Sequence, residues 1–415
     1  MTTADSCRQL LVRAVNHGGR LIQGRQLKSL AFDKERLLAE AIRQAGYDDF
    51  GPQHFLEPFS LLLESYENEA RLNLTGRIAI RHDTQHRLVN RLRIEADRKR
   101  FPAICQERIS KPIFIAGLPR TGTTLLYNLL AQDPANRTPL GWQVMYPSPP
   151  PALAAKQNDP RMDAAAQRRM NWLKWLAPSF KVMHPLSAVL PQECIALSSL
   201  SFESFLFQTI CHVPTYQRWL EQQDMLRSYE YHHRFLQQLQ FCSPGVRWIL
   251  KAPAHLFAFD AILKVYPDAR IVQTHRTPLK VLPSVSSLTL TLRRAFSDNC
   301  DPEATGREIV QRWSDGLQRA LTTRRTVADA DSRFYDIHYR ELVQNPIGSV
   351  ERLYNHFGLT LKENSRNRMQ AFLKQHPQNS HGRHNYSLAQ FRINPEVEIE
   401  RFRNYCDAFR IVPEP

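Results

Sequence analysis

The stretch Pro112-Ile113-Phe114-Ile115-Ala116-Gly117-Leu118-Pro119-Arg120-Thr121-Gly122-Thr123-Thr124-Leu125-Leu126-Tyr127-Asn128-Leu129-Leu130 decides the fold. An apolar run entering a glycine, a threonine-rich turn and a second apolar run read as strand, loop and helix. Three later apolar runs read as further strands: Val246 to Leu250, Ala269 to Thr274 and Phe334 to Tyr339. Helical stretches separate them, over 256–265, from Pro278 to Ala295 and from Glu308 to Leu321, the last with Ile309, Trp313, Leu317 and Ala320 on one face. Strands alternating with helices predict an α/β fold, a parallel sheet covered by helices on both faces. Asn345-Pro346 as cap and first helical residue, with Gly358 as a stop, bracket one more helix.

Outward from this region the chain changes character. Residues 1–110 read as a helical N-terminal extension, and 111–415 as the α/β domain. In the extension, Leu56 to Tyr66 is apolar at helical spacing, while Ile78, Ile80, Leu88, Leu92 and Ile94 sit among arginines as on a half-exposed helix. Residues 140–245 read as a long helical insertion between the first two strands, entered through the rigid connector Pro147-Ser148-Pro149-Pro150-Pro151.

The chain has 415 residues, 42% of them hydrophobic and 23% charged, which is globular composition and excludes disorder. A net charge of +15 suits an anionic partner, yet the arginines are scattered rather than run together, which argues against a nucleic-acid tail. The seven cysteines include no CxxC pair, so reduced and mostly buried thiols are expected. No basic-then-apolar leader opens the sequence, and no run approaches the ~18 apolar residues of a membrane span. A soluble, cytoplasmic protein is the expectation.

Between a strand and a helix, the backbone N–H groups of Gly117 to Thr124 would face an anion, aided by the helix dipole. The nucleotide pattern GxxxxGK[ST] fits with one departure: Thr123 stands where a lysine would reach the β- and γ-phosphates, and Arg120 places a cation inside the loop instead. These residues resemble the G-x-P-[RK]-[ST]-G-T-T loop of the sulfotransferase superfamily. Over roughly residues 110 to 410 the chain is similar to its bacterial-type soluble members, which have a P-loop-like fold. The resemblance implies 3′-phosphoadenosine 5′-phosphosulfate (PAPS) as sulfuryl donor. It also implies that Pro119, Arg120, Thr121, Gly122, Thr123 and Thr124 hold the 5′-phosphosulfate, with Arg120 at the bridging oxygen where charge develops.

Arg276 ends the strand Ile271-Val272-Gln273-Thr274-His275, and Ser284 stands eight residues on, about two turns into the next helix. Both can reach one phosphate, and the spacing resembles the family's 3′-phosphate motif. Gly382 and Arg383, in Ser380-His381-Gly382-Arg383-His384-Asn385-Tyr386, resemble the basic loop that some members close over the same phosphate; a solvated turn is the alternative.

Lys251 directly follows a strand, in Leu250-Lys251-Ala252-Pro253-Ala254-His255, and resembles the family's lysine at the sulfuryl group, where it stabilises the leaving oxygen. His255 can act as general base, as acceptor ligand or as a hydrogen-bonding group at a helix start. The glutamate base of several family branches has no counterpart, because Gln143 holds the aligned place and an amide takes up no proton. His184 and Glu193, in the insertion, are the other candidate bases, each with a helix cap or a surface charge as its alternative.

The implied reaction is in-line attack of an acceptor hydroxyl, less readily an amine, on the sulfur of PAPS, with no metal. The insertion is expected to bind that acceptor, a small molecule, lipid or glycan, with Trp142, Tyr146, Trp172 and Trp175 suggesting an apolar wall. Nucleic acid is not an expected partner. Two rival readings remain: a P-loop kinase or NTPase, which would need a lysine at Thr123 and an acid where His275-Arg276 end a strand, and a nucleotide-binding relative without turnover, which Gln143 leaves open.

Overall fold

Five parallel strands form one sheet in the order β2-β3-β1-β4-β5: β1 Ile113–Gly117, β2 Asn136–Arg137, β3 Arg247–Lys251, β4 Arg270–His275 and β5 Phe334–His338. The structure is a computed structural model and describes residues 15–16, 27–154, 159–164, 188–243, 247–376 and 386–412. Strands alternate their side chains between two faces. From β1, Ile113 and Ile115 join Leu126, Leu129, Val350 and Leu353 on one face, while Phe114 and Ala116 join a larger apolar cluster on the other. Both faces are therefore buried, as the continuous apolar runs predict.

Before the sheet come α1 Lys34–Ala45, α2 Leu56–Asn68 and α3 Leu74–Arg100. The loop after β1 leads into α4 Thr123–Leu130, then β2. The described part of the insertion includes α5 Gly141–Met145, α6 Cys194–Ser198, α7 Leu206–Ile210 and α8 Leu226–Gln240, with the helix Pro214–Gln222 between the last two. Beyond β3 lie α9 Phe259–Val265, α10 Pro278–Phe296, α11 Pro302–Thr326, α12 Pro346–His356 and α13 Arg403–Ala408. Asn345 caps α12 by accepting from the Gly348 N–H at 3.0 Å, as its position before a proline suggests. No helix among the described residues is long and apolar enough to cross a membrane.

Three details differ from the sequence reading. The sheet has one strand more than the four apolar runs, the two-residue edge strand β2, and the helical insertion follows it. Helix α3 is a core helix rather than a half-exposed one. Arg91 is fully buried because its guanidinium donates to the carbonyls of Phe50, Leu200 and Pro52 at 2.7 to 2.9 Å, and a buried cation is tolerable when its donors are taken up. Its aliphatic neighbours Leu88, Leu92 and Ile80 join the same apolar cluster as Phe114 and Leu250 of the sheet. Of the six described cysteines, all free thiols, only Cys194 and Cys211 are buried.

On the Phe114 side, α8 presents Tyr229 and His232 to the sheet. His232 Nδ1 meets the Tyr266 hydroxyl at 2.8 Å, and burial pushes its imidazole down to about 3. The folded value lies below the ordinary ~6.5, so the unfolded chain takes the proton more readily, and stability present above ~6.5 is lost as pH falls below it. The loss amounts to roughly 2 kcal/mol between about pH 7 and pH 5 for one histidine so held. Glu203, raised to about 7 by burial, works in the opposite sense over this interval, so the informative quantity is a difference between variants. His232→Leu should flatten the decline in urea-unfolding free energy from pH 7 to pH 5 by roughly 2 kcal/mol relative to the parent chain. Parallel curves would mean that the imidazole is not held neutral by the fold.

Candidate active site

Leaving β1, the chain turns at Gly117, whose φ of +137° and neighbours both demand glycine: a Cβ there would stand 2.4 Å from Thr274 Oγ1 and 2.6 Å from Thr274 O. Thr121 Oγ1 donates to the Leu118 carbonyl at 2.6 Å and lies 2.6 Å from Thr274 Oγ1. The loop is thereby tied to the end of β4, next to β1 in the sheet. Arg120 stands exposed at the crest with φ +68°, a left-handed turn that a non-glycine residue seldom takes without a reason. Gly122 caps α4, and Thr123 and Thr124 open it. The chain leaves β1 toward β3 and leaves β4 toward β5, so the crevice between their carboxyl ends is the topological switch point where open α/β sheets bind ligands.

Lys251, the last residue of β3, pairs in register with Ile115 of β1 and is 2% exposed. An ammonium so buried needs partners. Lys251 Nζ donates to Thr124 Oγ1 at 3.2 Å and forms an ion pair with Glu193, the residue that precedes α6. One cation thus bridges the first turn of the helix after the anion loop and a carboxylate of the insertion.

Arg276 leaves β4 beside the loop. Its Nη1 donates to the Arg120 carbonyl at 3.1 Å, and its guanidinium lies 3.9 Å from the centre of the Tyr339 ring. Ser284 is buried in α10. The fold therefore gathers Arg120, Thr121, Thr124, Lys251, Glu193 and Arg276 at one end of the sheet.

His255 and Gln143 stand elsewhere. His255 is buried with its ring edge-on to Phe114, centroids 5.1 Å apart, and its Nδ1 is 2.5 Å from the Tyr229 hydroxyl. Burial, then the neighbouring His232 and Lys251, hold its imidazole well below the ordinary range. Gln143 turns its amide back on its own helix, with Oε1 accepting the Leu140 N–H at 3.2 Å, so a capping need explains it. His184, Gly382, Arg383, Trp172 and Trp175 lie outside the described residues. Among the described residues, no group of three or more His, Cys, Asp or Glu is placed to hold a metal ion.

Beside this cluster opens a cavity of about 800 Å³. Pro119 of the loop, Gln192, Glu193, Pro253 and Ala254 line it at the sheet end. Val285, Leu288 and Leu292 of α10, Ile309 and Trp313 of α11, and Phe205 and Leu206 continue it as an apolar chamber. Helix α3 contributes Ile80, His86, Arg87 and Asn90, which the sequence reading assigned no part in the chemistry. The missed signal was a helix carrying Asp83, Arg87 and Asn90 amid apolar residues: Arg87 pairs with Asp83 and Ser199, and Asn90 donates to the Met145 carbonyl at 2.9 Å. Buried polar groups with such partners look in sequence like an exposed face.

Comparison with known proteins agrees with this geometry. The sequence model of the Sulfotransferase family matches residues 112–363. Among characterised relatives, omega-hydroxy-beta-dihydromenaquinone-9 sulfotransferase Stf3 of Mycobacterium tuberculosis is 29% identical over 279 residues, 64% of this chain and 67% of that protein. Among solved structures, sulfotransferase STF1 of Mycobacterium tuberculosis H37Rv superposes with a TM-score of 0.75 at 32% identity, covering 90% of this chain and 98% of that one. Sulfotransferase STF9 of Mycobacterium avium gives 0.81 at 27% identity, covering 92% and 97%. A match across more than half the chain, on a loop and sheet of this form, means that the chain belongs to the sulfotransferase family and is a sulfuryl-transferring enzyme.

Proposed function

We propose that the enzyme moves the sulfuryl group of PAPS to the hydroxyl of an uncharged, largely apolar acceptor seated in the 800 Å³ cavity. The observation that carries this reading is the position of Lys251, in contact with Thr124 on the loop side and with Glu193 on the cavity side. Donor and acceptor regions meet at that ammonium. Two cationic residues, Arg120 and Arg276, meet at the switch point through the Arg120 carbonyl, which suits a ligand carrying two separate anionic groups. PAPS, when bound, supplies the sulfuryl group and departs as adenosine 3′,5′-bisphosphate. Pro119 to Thr124 would hold its 5′ end, and Arg276 with Ser284 its 3′-phosphate.

The acceptor class follows from the walls. They are mainly aliphatic and aromatic, and the charges among them are compensated: Arg87 by Asp83, Arg312 by Glu308 and Glu221. No unbalanced charge of these groups calls for an ionic acceptor. The name of the relative Stf3 describes a hydroxyl on a menaquinone derivative, which supports an acceptor whose hydroxyl is carried on a largely apolar body.

Of the candidate bases among the described residues, Glu193 lines the cavity, while His255 sits behind the chamber and is kept neutral by burial. Its carboxylate would take the hydroxyl proton as the acceptor oxygen closes on sulfur. Protonation removes the counter-charge of Lys251, whose ammonium then acts in full on the oxygens that gain charge. Proton removal and leaving-group stabilisation are coupled through one ion pair.

Radioactive transfer from PAPS to 1-dodecanol and to 4-nitrophenol tests this. Glu193→Gln should lower turnover of the alcohol by about 10²–10⁴ and of the far more acidic phenol by much less. An alcohol rate equal to that of the parent chain would remove Glu193 from the mechanism. Lys251→Met should lower kcat on both acceptors while leaving affinity for adenosine 3′,5′-bisphosphate within a few-fold, since its charge is used mainly as the S–O bond breaks. Unchanged turnover would make Lys251 a structural residue.

A further inference from the structure

Behind Arg276, a hydrogen-bond chain runs unbroken through four elements, α11, β5, β4 and α13. Arg324 of α11 donates to both carboxylate oxygens of Asp336 on β5, at 2.7 and 2.8 Å, and to Gln273 Oε1 at 2.9 Å. Asp336 Oδ1 lies 2.8 Å from His275 Nε2, and His275 Nδ1 lies 3.1 Å from the hydroxyl of Tyr405 on α13. That hydroxyl also faces the backbone N–H of Arg276, the residue after His275.

The direction of every bond is forced. Burial tends to raise the Asp336 carboxyl, but Arg324 and His275 outweigh it, so Asp336 is ionised and only accepts. His275 Nε2 therefore carries its proton. Burial lowers the His275 imidazole, which stays neutral despite Asp336, so Nδ1 accepts the Tyr405 O–H. Phe409 closes the arrangement, stacked on His275 with ring centres 4.0 Å apart and lying 5.0 Å from the Arg324 guanidinium.

We infer that Tyr405, held by His275, Asp336 and Arg324, is a positioning residue for recognition of the donor's 3′-phosphate. It rests on the reading of Arg276 as the 3′-phosphate ligand. Arg276 is the first residue beyond β4, where the ladder that fixes the strand backbone stops at His275. A small rotation of its peptide would swing the long side chain off the Tyr339 ring and away from the Arg120 carbonyl. Tyr405 restrains this turn through its bond to His275, the residue before Arg276, so the guanidinium is in place before the ligand arrives and less ordering is required on binding. Nothing in this chain touches Lys251 or Glu193, so its effect belongs to donor affinity and not to the transfer step.

Calorimetric titration of the full chain with adenosine 3′,5′-bisphosphate and with AMP, which lacks the 3′-phosphate, tests the assignment. Tyr405→Phe keeps the ring against His275 and removes the hydroxyl. It should weaken the bisphosphate by about threefold to tenfold. AMP affinity and kcat at saturating PAPS should stay within twofold of the parent chain by the same reasoning. Arg276→Ala should abolish the preference for the bisphosphate over AMP. If Arg276→Ala leaves that preference intact, the 3′-phosphate reading of Arg276 falls and the role of Tyr405 with it. If Arg276→Ala abolishes it but Tyr405→Phe leaves it unchanged, the reading of Arg276 stands and the positioning role is overturned. A Tyr405→Phe variant that loses both ligands alike would show a general structural part, which also overturns it.

Discussion

The contact on which the rest of the site depends is the meeting of Thr121 and Thr274, hydroxyl to hydroxyl at 2.6 Å, beneath a glycine that has no room for a side chain. Adjacent strands stand about 4.8 Å apart, so anchoring the loop after β1 to the end of β4 fixes the separation of everything that follows each of them. Arg120 precedes Thr121 by one residue and Arg276 follows Thr274 by two. The Arg276 guanidinium is thus held against the backbone of the residue that carries the loop's own cation. Arg276 is fixed further by the Tyr339 ring, on which its guanidinium leans. The electropositive crevice is assembled in advance, which is the condition under which charges stabilise a reaction without reorganising during it.

Acceptor recognition is built differently. The donor end is made of strand termini, whose positions the parallel ladder sets. The chamber walls are helices from three separate parts of the chain: α3 from the N-terminal region, α6 and α7 from the insertion, α10 and α11 from beyond β4. These helices share one apolar cluster with the sheet, so the N-terminal region packs as part of the enzyme's core. The charges within the walls are paired, and paired charges in a poorly hydrated chamber orient neighbouring dipoles without demanding a counter-ion.

What the sequence made legible follows from which physical signals are local. A buried parallel strand announces itself by its apolar residues: β1 is a continuous apolar run, and β3, β4 and β5 were visible as shorter apolar or aromatic stretches between helical segments. The loop was visible because strand, glycine, cation and paired threonines occur in one unbroken stretch. β2 was not, since two residues, Asn136 and Arg137, give no periodicity to read. The burial of α3 was hidden because Arg91 satisfies its guanidinium with carbonyls of residues 50, 52 and 200, contacts that only the folded chain brings together. Gln143 drew attention by its sequence position, yet its amide is occupied by a helix N-terminus. Glu193 was one candidate among several until the fold set it against Lys251, 58 residues away in the chain.

The pairing of Glu193 with Lys251 also bears on why an alcohol, rather than water, should receive the sulfuryl group. Lys251 is 2% exposed, so its charge is already stripped of water, and an ammonium in such surroundings interacts several times more strongly than one in bulk solvent. Glu193, its partner, faces a chamber whose walls are mostly hydrocarbon. A water molecule entering there would leave most of its hydrogen bonds unmade, whereas an apolar alcohol fills the chamber with its hydrocarbon part and brings a single hydroxyl to the carboxylate. With Glu193 in the proposed role of base, burial acts twice: it strengthens the ion pair that holds Glu193 in place, and it makes the space in front of Glu193 costly for any acceptor that cannot satisfy the apolar walls.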